Sequence, residues 1–285
     1  MGRILITGIT GNVGREVAAA LKKRNVSMVC AVRNIEKARK HFFNEYDFVS
    51  LDFSNGDTFD KALEDIESIF LNYPPETPFD DFHAFIRRAK EKGVRHITYL
   101  SVKDVQFLPF VPHHKNEKAI VQSGLSFTFL RAGYFTQNLN MFLLDELVKN
   151  DRIYVPCGKG KTSFVDLRDI GEVAAITLLN PDYHLNQKYV LTGSKALDFF
   201  EVAEIMTHFL ERKIIYSNPT LNEFKKHMMK KGYEAKYVNL VGSLHFFTKL
   251  GMAKSVKSDL SQILGRHPIT VEEYVNDYKE VWRKN

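Results

Sequence analysis

With 285 residues, the chain is long enough for one large α/β domain with a smaller one appended. Hydrophobic residues at 44% and charged residues at 26% are the balance of an ordinary globular protein, which excludes disordered, collagen-like and low-complexity classes. The 40 Lys and Arg against 34 Asp and Glu leave +6, an excess that argues for an anionic small molecule at least as well as for nucleic acid.

The first strand-like run begins at Arg3, and no apolar run reaches the roughly 20 residues of a membrane helix. The expected protein is therefore soluble and cytoplasmic, with no membrane partner. Strands are predicted over 3–7, 26–32, 47–52, 68–72, 96–100, 127–131 and 188–191. Helical periodicity is read over 13–23, 58–66, 79–92 and 117–123. Apolar strands alternating with amphipathic helices imply parallel βαβ units, hence a doubly wound α/β sheet of Rossmann type. After about residue 192 helical patterns dominate, over 198–211, 221–231, 237–250 and 271–283. Asp198 with Glu201, and Asp169 with Glu172, read as capping-box helix starts. The expected division is a dinucleotide-binding domain over 1–192, with part of the substrate cleft from 134–165, and a smaller C-terminal domain over 193–285 lining that cleft. A single domain with a helical lid is the alternative.

The most informative stretch is Ile4-Leu5-Ile6-Thr7-Gly8-Ile9-Thr10-Gly11-Asn12-Val13-Gly14. A strand enters three glycines at spacing three and leaves into a helix. One glycine permits a tight turn, the second a close pyrophosphate and the third close helix packing. The residues assigned to the phosphates are Gly8, Thr10, Gly11, Asn12, Val13 and Gly14, with the positive end of the helix behind them. An NAD site places Asp or Glu at the tip of the second strand to hold the ribose hydroxyls. Here that tip reads Ala31-Val32-Arg33-Asn34, with Lys37 following. Arg33 can fork onto a 2′-phosphate and Lys37 can add a point charge, so NADP(H) is expected in preference to NAD(H). A second glycine-rich run, Gly158-Lys159-Gly160-Lys161-Thr162, lacks Walker-loop spacing and reads as a hairpin or loop.

Together these residues resemble the NmrA-like branch of the atypical short-chain dehydrogenase/reductase superfamily. The resemblance runs through the turn at 7–14, Val-Arg-Asn at 32–34, Leu-Asp-Phe at 51–53, Leu-Asn-Tyr-Pro-Pro at 71–75 and Ile-Thr-Tyr-Leu-Ser at 97–101. It continues through 123–131, Gln-Asn at 137–138 and Phe-Val-Asp-Leu-Arg-Asp-Ile-Gly at 164–171. It implies that Asp52 and Phe53 flank the adenine and that Tyr73 and Pro74 line the cofactor's middle. By the same resemblance Ser101 and Val102 lie on the nicotinamide side, and Tyr134, Phe135 and Asn138 shape the nicotinamide pocket.

Ordinary members of that superfamily use Tyr-x-x-x-Lys on one helical face, the lysine lowering the tyrosine pKa. At the corresponding helix this chain has His113 and Glu117. His113 and Asn138 are the catalytic candidates; the alternative for 113–118 is a solvated helix start. Without that proton shuttle, alcohol dehydrogenation and sugar-nucleotide epimerisation are disfavoured, whereas hydride transfer to a quinone-like or conjugated cationic acceptor is not. The expected function is an NADPH-dependent reductase of such an electrophilic small molecule, lacking the Tyr-x-x-x-Lys pair. The alternative is a non-catalytic dinucleotide-sensing regulator that binds a protein partner. A homodimer is compatible with either, and nucleic acid is not an expected partner. The histidines are scattered, so no metal site is expected. Cys30 is read as core and Cys157 as lying nearer the cleft.

Overall fold

The computed structural model describes residues 2–75 and 77–283. Its strands are β1 Arg3–Thr7, β2 Met28–Val32, β3 Phe48–Ser50, β4 Ile66–Leu71, β5 His96–Val102, β6 Ser126–Ala132, β7 Tyr134–Phe135, β8 Arg152–Ile153, β9 Thr162–Val165, β10 Gln187–Leu191, β11 Ala196–Leu197 and β12 Ile215–Tyr216. Its α-helices are α1 Asn12–Lys22, α2 Ile35–His41, α3 Phe59–Ala62, α4 Phe79–Glu91, α5 Pro112–Gln122, α6 Leu144–Asn150, α7 Leu167–Leu179, α8 Phe199–Leu210, α9 Leu221–Lys230, α10 Ala235–Lys249, α11 Asp259–Leu264 and α12 Val271–Tyr278.

Seven strands form one sheet in the order β10-β6-β5-β4-β1-β2-β3, and every pairing in it is parallel. From β1 the chain builds outward through β2 and β3, then returns to build β4, β5 and β6 on the other side. The order therefore reverses between β1 and β4, the switch point outside whose carboxyl ends ligands bind in such sheets. Strand β1 is buried from Ile4 to Thr7 and β4 from Ser68 to Leu71, as strands covered on both faces must be. Helix α1 buries Val13, Gly14, Val17, Ala18, Ala20 and Leu21. One core gathers Leu5, Ile69, Phe82, Phe85, Ile97 and Phe129.

The chain divides into two compact units. The first holds residues 1–132, 167–191 and 262–265; the second holds 133–166, 192–261 and 266–285. Segment 133–166 belongs to the second unit, on the other side of the division from the 1–192 domain to which the sequence pattern assigns it. The second unit has its own core, in which Leu147, Cys157, Phe199, Phe224, Tyr274 and Trp282 meet. Cys157 is fully buried there, and burial pushes its thiol up. Cys30 is fully buried in β2, with its thiol pushed up to about 12 by burial.

Local rules hold where the chain decides alone and fail where packing intervenes. Asp198 and Glu201 form the expected capping box at α8. Thr220 with Glu223, and Thr270 with Glu273, form two more. Asp169 does not start a helix: α7 begins at Leu167 and Asp169 is fully buried inside its first turn. The helix expected over 58–66 shrinks to Phe59–Ala62, because Asp65 turns at φ 57° and Ile66 already belongs to β4.

Candidate dinucleotide site and its polar support

The glycine turn carries three distinct steric demands. Gly8 has φ +72°, and a Cβ there would lie 2.4 Å from Asn72 Oδ1. A Cβ at Gly14 would lie 2.3 Å from the Gly8 carbonyl oxygen, so the helix can sit this close only as glycine. At Gly11 a Cβ would meet only that same oxygen, at 3.3 Å, leaving the space before α1 clear. Gly11 is also the N-cap residue and supplies no side-chain cap. The first helical bond runs from Arg15 N to Gly11 O at 3.2 Å. The N–H groups of Asn12, Val13 and Gly14 therefore precede the ladder, with no acidic residue in the first turn to neutralise them. Thr10, Gly11 and Asn12 are exposed, and Val13 is buried beneath them.

Thr7 ties this turn to the neighbouring strand. Its hydroxyl accepts the Asn72 N–H at 2.9 Å and lies 2.8 Å from Asn72 Oδ1. Asn72, just past β4, is a supporting residue to which the sequence reading gives no role, although it lies within the Leu-Asn-Tyr-Pro-Pro run at 71–75.

Registers such as Thr7 with Ala31, Val32 with Ser50 and Leu71 with Tyr99 bring the strand tips level. Arg33, Lys37, Asp52, Phe53, Tyr73, Pro74 and Ser101 thus share one edge of the sheet with the glycine turn. Arg33 and Lys37 are exposed, and Asn34 Oδ1 caps α2 by accepting the Lys37 N–H at 2.8 Å. The Asp52 carboxylate accepts from Ser54 Oγ at 2.7 Å and Ser54 N at 3.0 Å. Those bonds, with the field of Arg33, hold its pKa below the usual carboxylate range. Phe53 and Tyr73 are half-buried: Phe53 lies 5.2 Å from both Phe82 and Phe85, and Tyr73 stacks on Phe79 at 5.9 Å. The Tyr73 hydroxyl donates to the Thr77 carbonyl. Phe129, by contrast, is plain core.

Below these tips lies a polar layer. Ser101 is buried and gives its hydroxyl to Glu117 Oε1 at 2.7 Å. Glu117 also takes a forked pair from Arg131, at 3.0 Å from Nε and 2.6 Å from Nη2. Glu117 is therefore spent on structure and does not do the work of a lysine beside a tyrosine. The start of α5 is not a solvated surface either: Asn116 is fully buried and Glu117 buried. His113 is half-buried, its Nδ1 2.7 Å from the Tyr99 hydroxyl, and desolvation pushes its pKa down to about 4. At neutral pH it is a neutral imidazole. The Tyr-x-x-x-Lys spacing does occur at Tyr99 and Lys103, but along the end of β5 and into the turn after it, not on one face of a helix. Burial raises the Tyr99 hydroxyl further from ionisation, and Lys103 pairs with Asp104 at 3.2 Å.

Tyr134 and Asn138 belong to the second unit. The Asn138 side chain hydrogen-bonds the Tyr134 hydroxyl, whose pKa burial raises. Tyr134 packs edge-on against Phe164 at 5.2 Å and Phe199 at 5.8 Å, and lies 6.3 Å from His245. Phe135 follows it in β7. The run 158–162 is a loop leading into β9, and a Cβ at Gly160 would strike the Thr248 carbonyl oxygen, so packing accounts for that glycine.

A glycine turn at the switch point of a seven-stranded parallel sheet matches the NmrA-like family model, which aligns over residues 1–275. The chain belongs to the NmrA-like family. Among curated relatives, an NAD(P)H azoreductase of Xenophilus azovorans is 28% identical over 278 residues, 95% of this chain and 96% of the relative. Prestalk A differentiation protein A of Dictyostelium discoideum is also 28% identical, over 96% of this chain and 91% of that protein. Among solved structures, the NADPH complex of an Escherichia coli NADPH-dependent quinone oxidoreductase superposes with TM-score 0.86 at 23% identity, over 97% of this chain and 99% of that one. Among the described residues no helix is long and apolar enough to cross a membrane, and no group of three or more His, Cys, Asp or Glu could hold a metal.

Proposed function

We propose that this protein is an NADPH-dependent reductase that delivers hydride to a quinone-like or other conjugated electrophile. The observation that carries the reading is the open N-terminus of α1 behind the glycine turn, on the same sheet edge as the exposed Arg33. The fit to a dinucleotide is steric and electrostatic together. The turn leaves room where a Cβ would intrude, its N–H groups lack caps, and the second strand ends in a cation where a ribose-binding acid would favour NAD(H). Asn12, Val13 and Gly14 would hold the pyrophosphate, Arg33 and Lys37 a 2′-phosphate, Asp52 and Phe53 the adenine, and Tyr73 and Pro74 the middle of the cofactor. Bound NADPH supplies the hydride. Ser101 contributes through its place at the strand end, because its hydroxyl is taken by Glu117.

The proton chemistry points to the acceptor class. Both Tyr99 and Tyr134 are held protonated by burial, and Glu117 is locked to Arg131 and Ser101. Neither tyrosine supplies a phenolate able to take a proton from an alcohol. A quinone or dye cation needs no strong acid: it yields a stabilised anion or a neutral carbon, and water supplies any remaining proton. The named activities of the azoreductase and quinone oxidoreductase relatives support this class.

A second reading is dinucleotide sensing without turnover; one relative is named for prestalk differentiation and not for a reaction. Absorbance assays of NADPH consumption with a panel of quinones and cationic dyes decide between them. Acceptor-dependent oxidation is expected. Tight NADPH binding without oxidation by any acceptor would favour the sensor.

A further inference from the structure

A chain of hydrogen bonds runs beneath the strand tips of the first unit, through β5, α4 and α5. Asn116 is its centre: Oδ1 lies 3.1 Å from His83 Nε2, and Nδ2 lies 3.1 Å from the Tyr99 hydroxyl oxygen. An amide nitrogen only donates, so it occupies a lone pair of the Tyr99 oxygen. His113 Nδ1, at 2.7 Å, is then the acceptor left within reach of the phenolic proton, and a ring nitrogen that takes it is the unprotonated one. The single ring proton of a neutral imidazole is left on Nε2, and Nε2 has no hydrogen-bond partner among the described residues. Tyr99 is fully buried and Asn116 likewise, so water does not compete for these bonds. His113 itself sits edge-on to Tyr73, 6.3 Å between ring centroids.

We propose that Tyr99, oriented by Asn116 and His83, is a positioning residue that fixes His113 in the Nε2–H form, making His113 a hydrogen-bond donor and not a base. The functional half of this proposal rests on the reductase reading. When an acceptor carbonyl gains a hydride, its carbon forms the new C–H bond and its π electrons move to oxygen, leaving an oxyanion and an oxidised cofactor. A neutral Nε2–H stabilises that oxyanion by hydrogen bonding, and the proton that completes the product comes from water. The network thus assigns a direction to His113: it gives a hydrogen bond where charge develops, and it has no free lone pair on Nδ1 with which to remove a proton.

Long-range proton–nitrogen correlation spectra of the histidine-labelled full chain report the tautomer without any turnover. His113 is assigned by the signal lost in His113→Gln. The expected result is an unprotonated Nδ1 and a protonated Nε2, unchanged from mildly acidic to mildly basic pH. Tyr99→Phe should let both tautomers appear and lower quinone turnover about ten-fold, with NADPH affinity unchanged. A protonated Nδ1 in the wild type would overturn the proposal, as would a tautomer indifferent to Tyr99→Phe. If Tyr99→Phe fails to fold, the wild-type spectrum alone decides the tautomer. A wild type with the Nε2–H form but no oxidation of NADPH by any acceptor would remove the reductase reading and the donor role while leaving the lock intact.

Discussion

Helices α1 and α12 begin in opposite ways. At α12 the Thr270 hydroxyl accepts the Glu273 N–H at 3.1 Å, while the Glu273 carboxylate takes the Thr270 N–H at 2.7 Å, and α8 and α9 in the same unit are closed alike. At α1 the cap residue is Gly11, the first turn has no acid, and its N–H groups are satisfied by no side chain. The boxes at α8, α9 and α12 satisfy the ends of their own helices. The end of α1 stays open behind a turn kept clear by three glycines, and it is this pairing, not the missing cap alone, that suits an anion there.

The comparison breaks most sharply at Gly11. Gly11→Val keeps an allowed backbone, since Gly11 has φ −94° and ψ 174°, but fills the approach to α1. NADPH binding should fall at least about a hundred-fold, close to 3 kcal/mol, with an unchanged circular dichroism spectrum. Retained affinity in the folded variant would place the dinucleotide elsewhere. Arg33→Ala tests the cation beside that open end. Loss of one charge-assisted contact, about 2 kcal/mol, should weaken NADPH roughly thirty-fold and NADH far less. Calorimetric titration with both cofactors reads the difference, and equal losses would sink the 2′-phosphate assignment.

Acid acts on both units through a desolvated histidine in each. His113 in the first and His245 in the second are both held neutral by burial, with pKa pushed down to about 4 from 6.5. The unfolded chain then binds protons more readily, so stability is full above about pH 6.5 and falls as the pH drops towards 4. His245 is buried beside Phe224 and Tyr134, and its Nδ1 has no hydrogen-bond partner. His245→Leu should therefore remove about 2 kcal/mol of the acid loss at about pH 5, seen by urea denaturation at neutral and acid pH. An unaltered acid slope would show that His245 is not held neutral. The smallest effect is expected at the closed helices. Thr270→Ala should cost about 1 kcal/mol of stability and leave NADPH affinity as it was; a change in affinity would mean that the caps and the cofactor end are not independent.

Much of the site was legible because its signals are local. A turn with φ +72° admits glycine, and a strand tip carries its own side chain, so Gly8, Gly14 and Arg33 announce themselves at fixed offsets. The α8 capping box is equally local, closing within Asp198 to Glu201. Asp169 and Glu172 show the same spacing without starting a helix, since α7 already begins at Leu167, with Leu167 and Ile170 buried. Helices α6 and α11, of seven and six residues, are too short to show a period, and the two-residue strands β8 and β12 have none.

By itself the sequence determined the doubly wound sheet, the glycine turn and the cationic tip of β2, since each follows from side-chain periodicity or backbone geometry within a dozen residues. Only the tertiary structure decided what His113 and Glu117 are. Glu117 meets Arg131 and Ser101 across β5 and β6, and His113 meets a tyrosine 14 residues before it in the chain. Whether a histidine is a solvated surface group, a base or a fixed donor depends on the water taken from it and the proton its neighbour gives. Both are set by residues that come together only when the sheet closes.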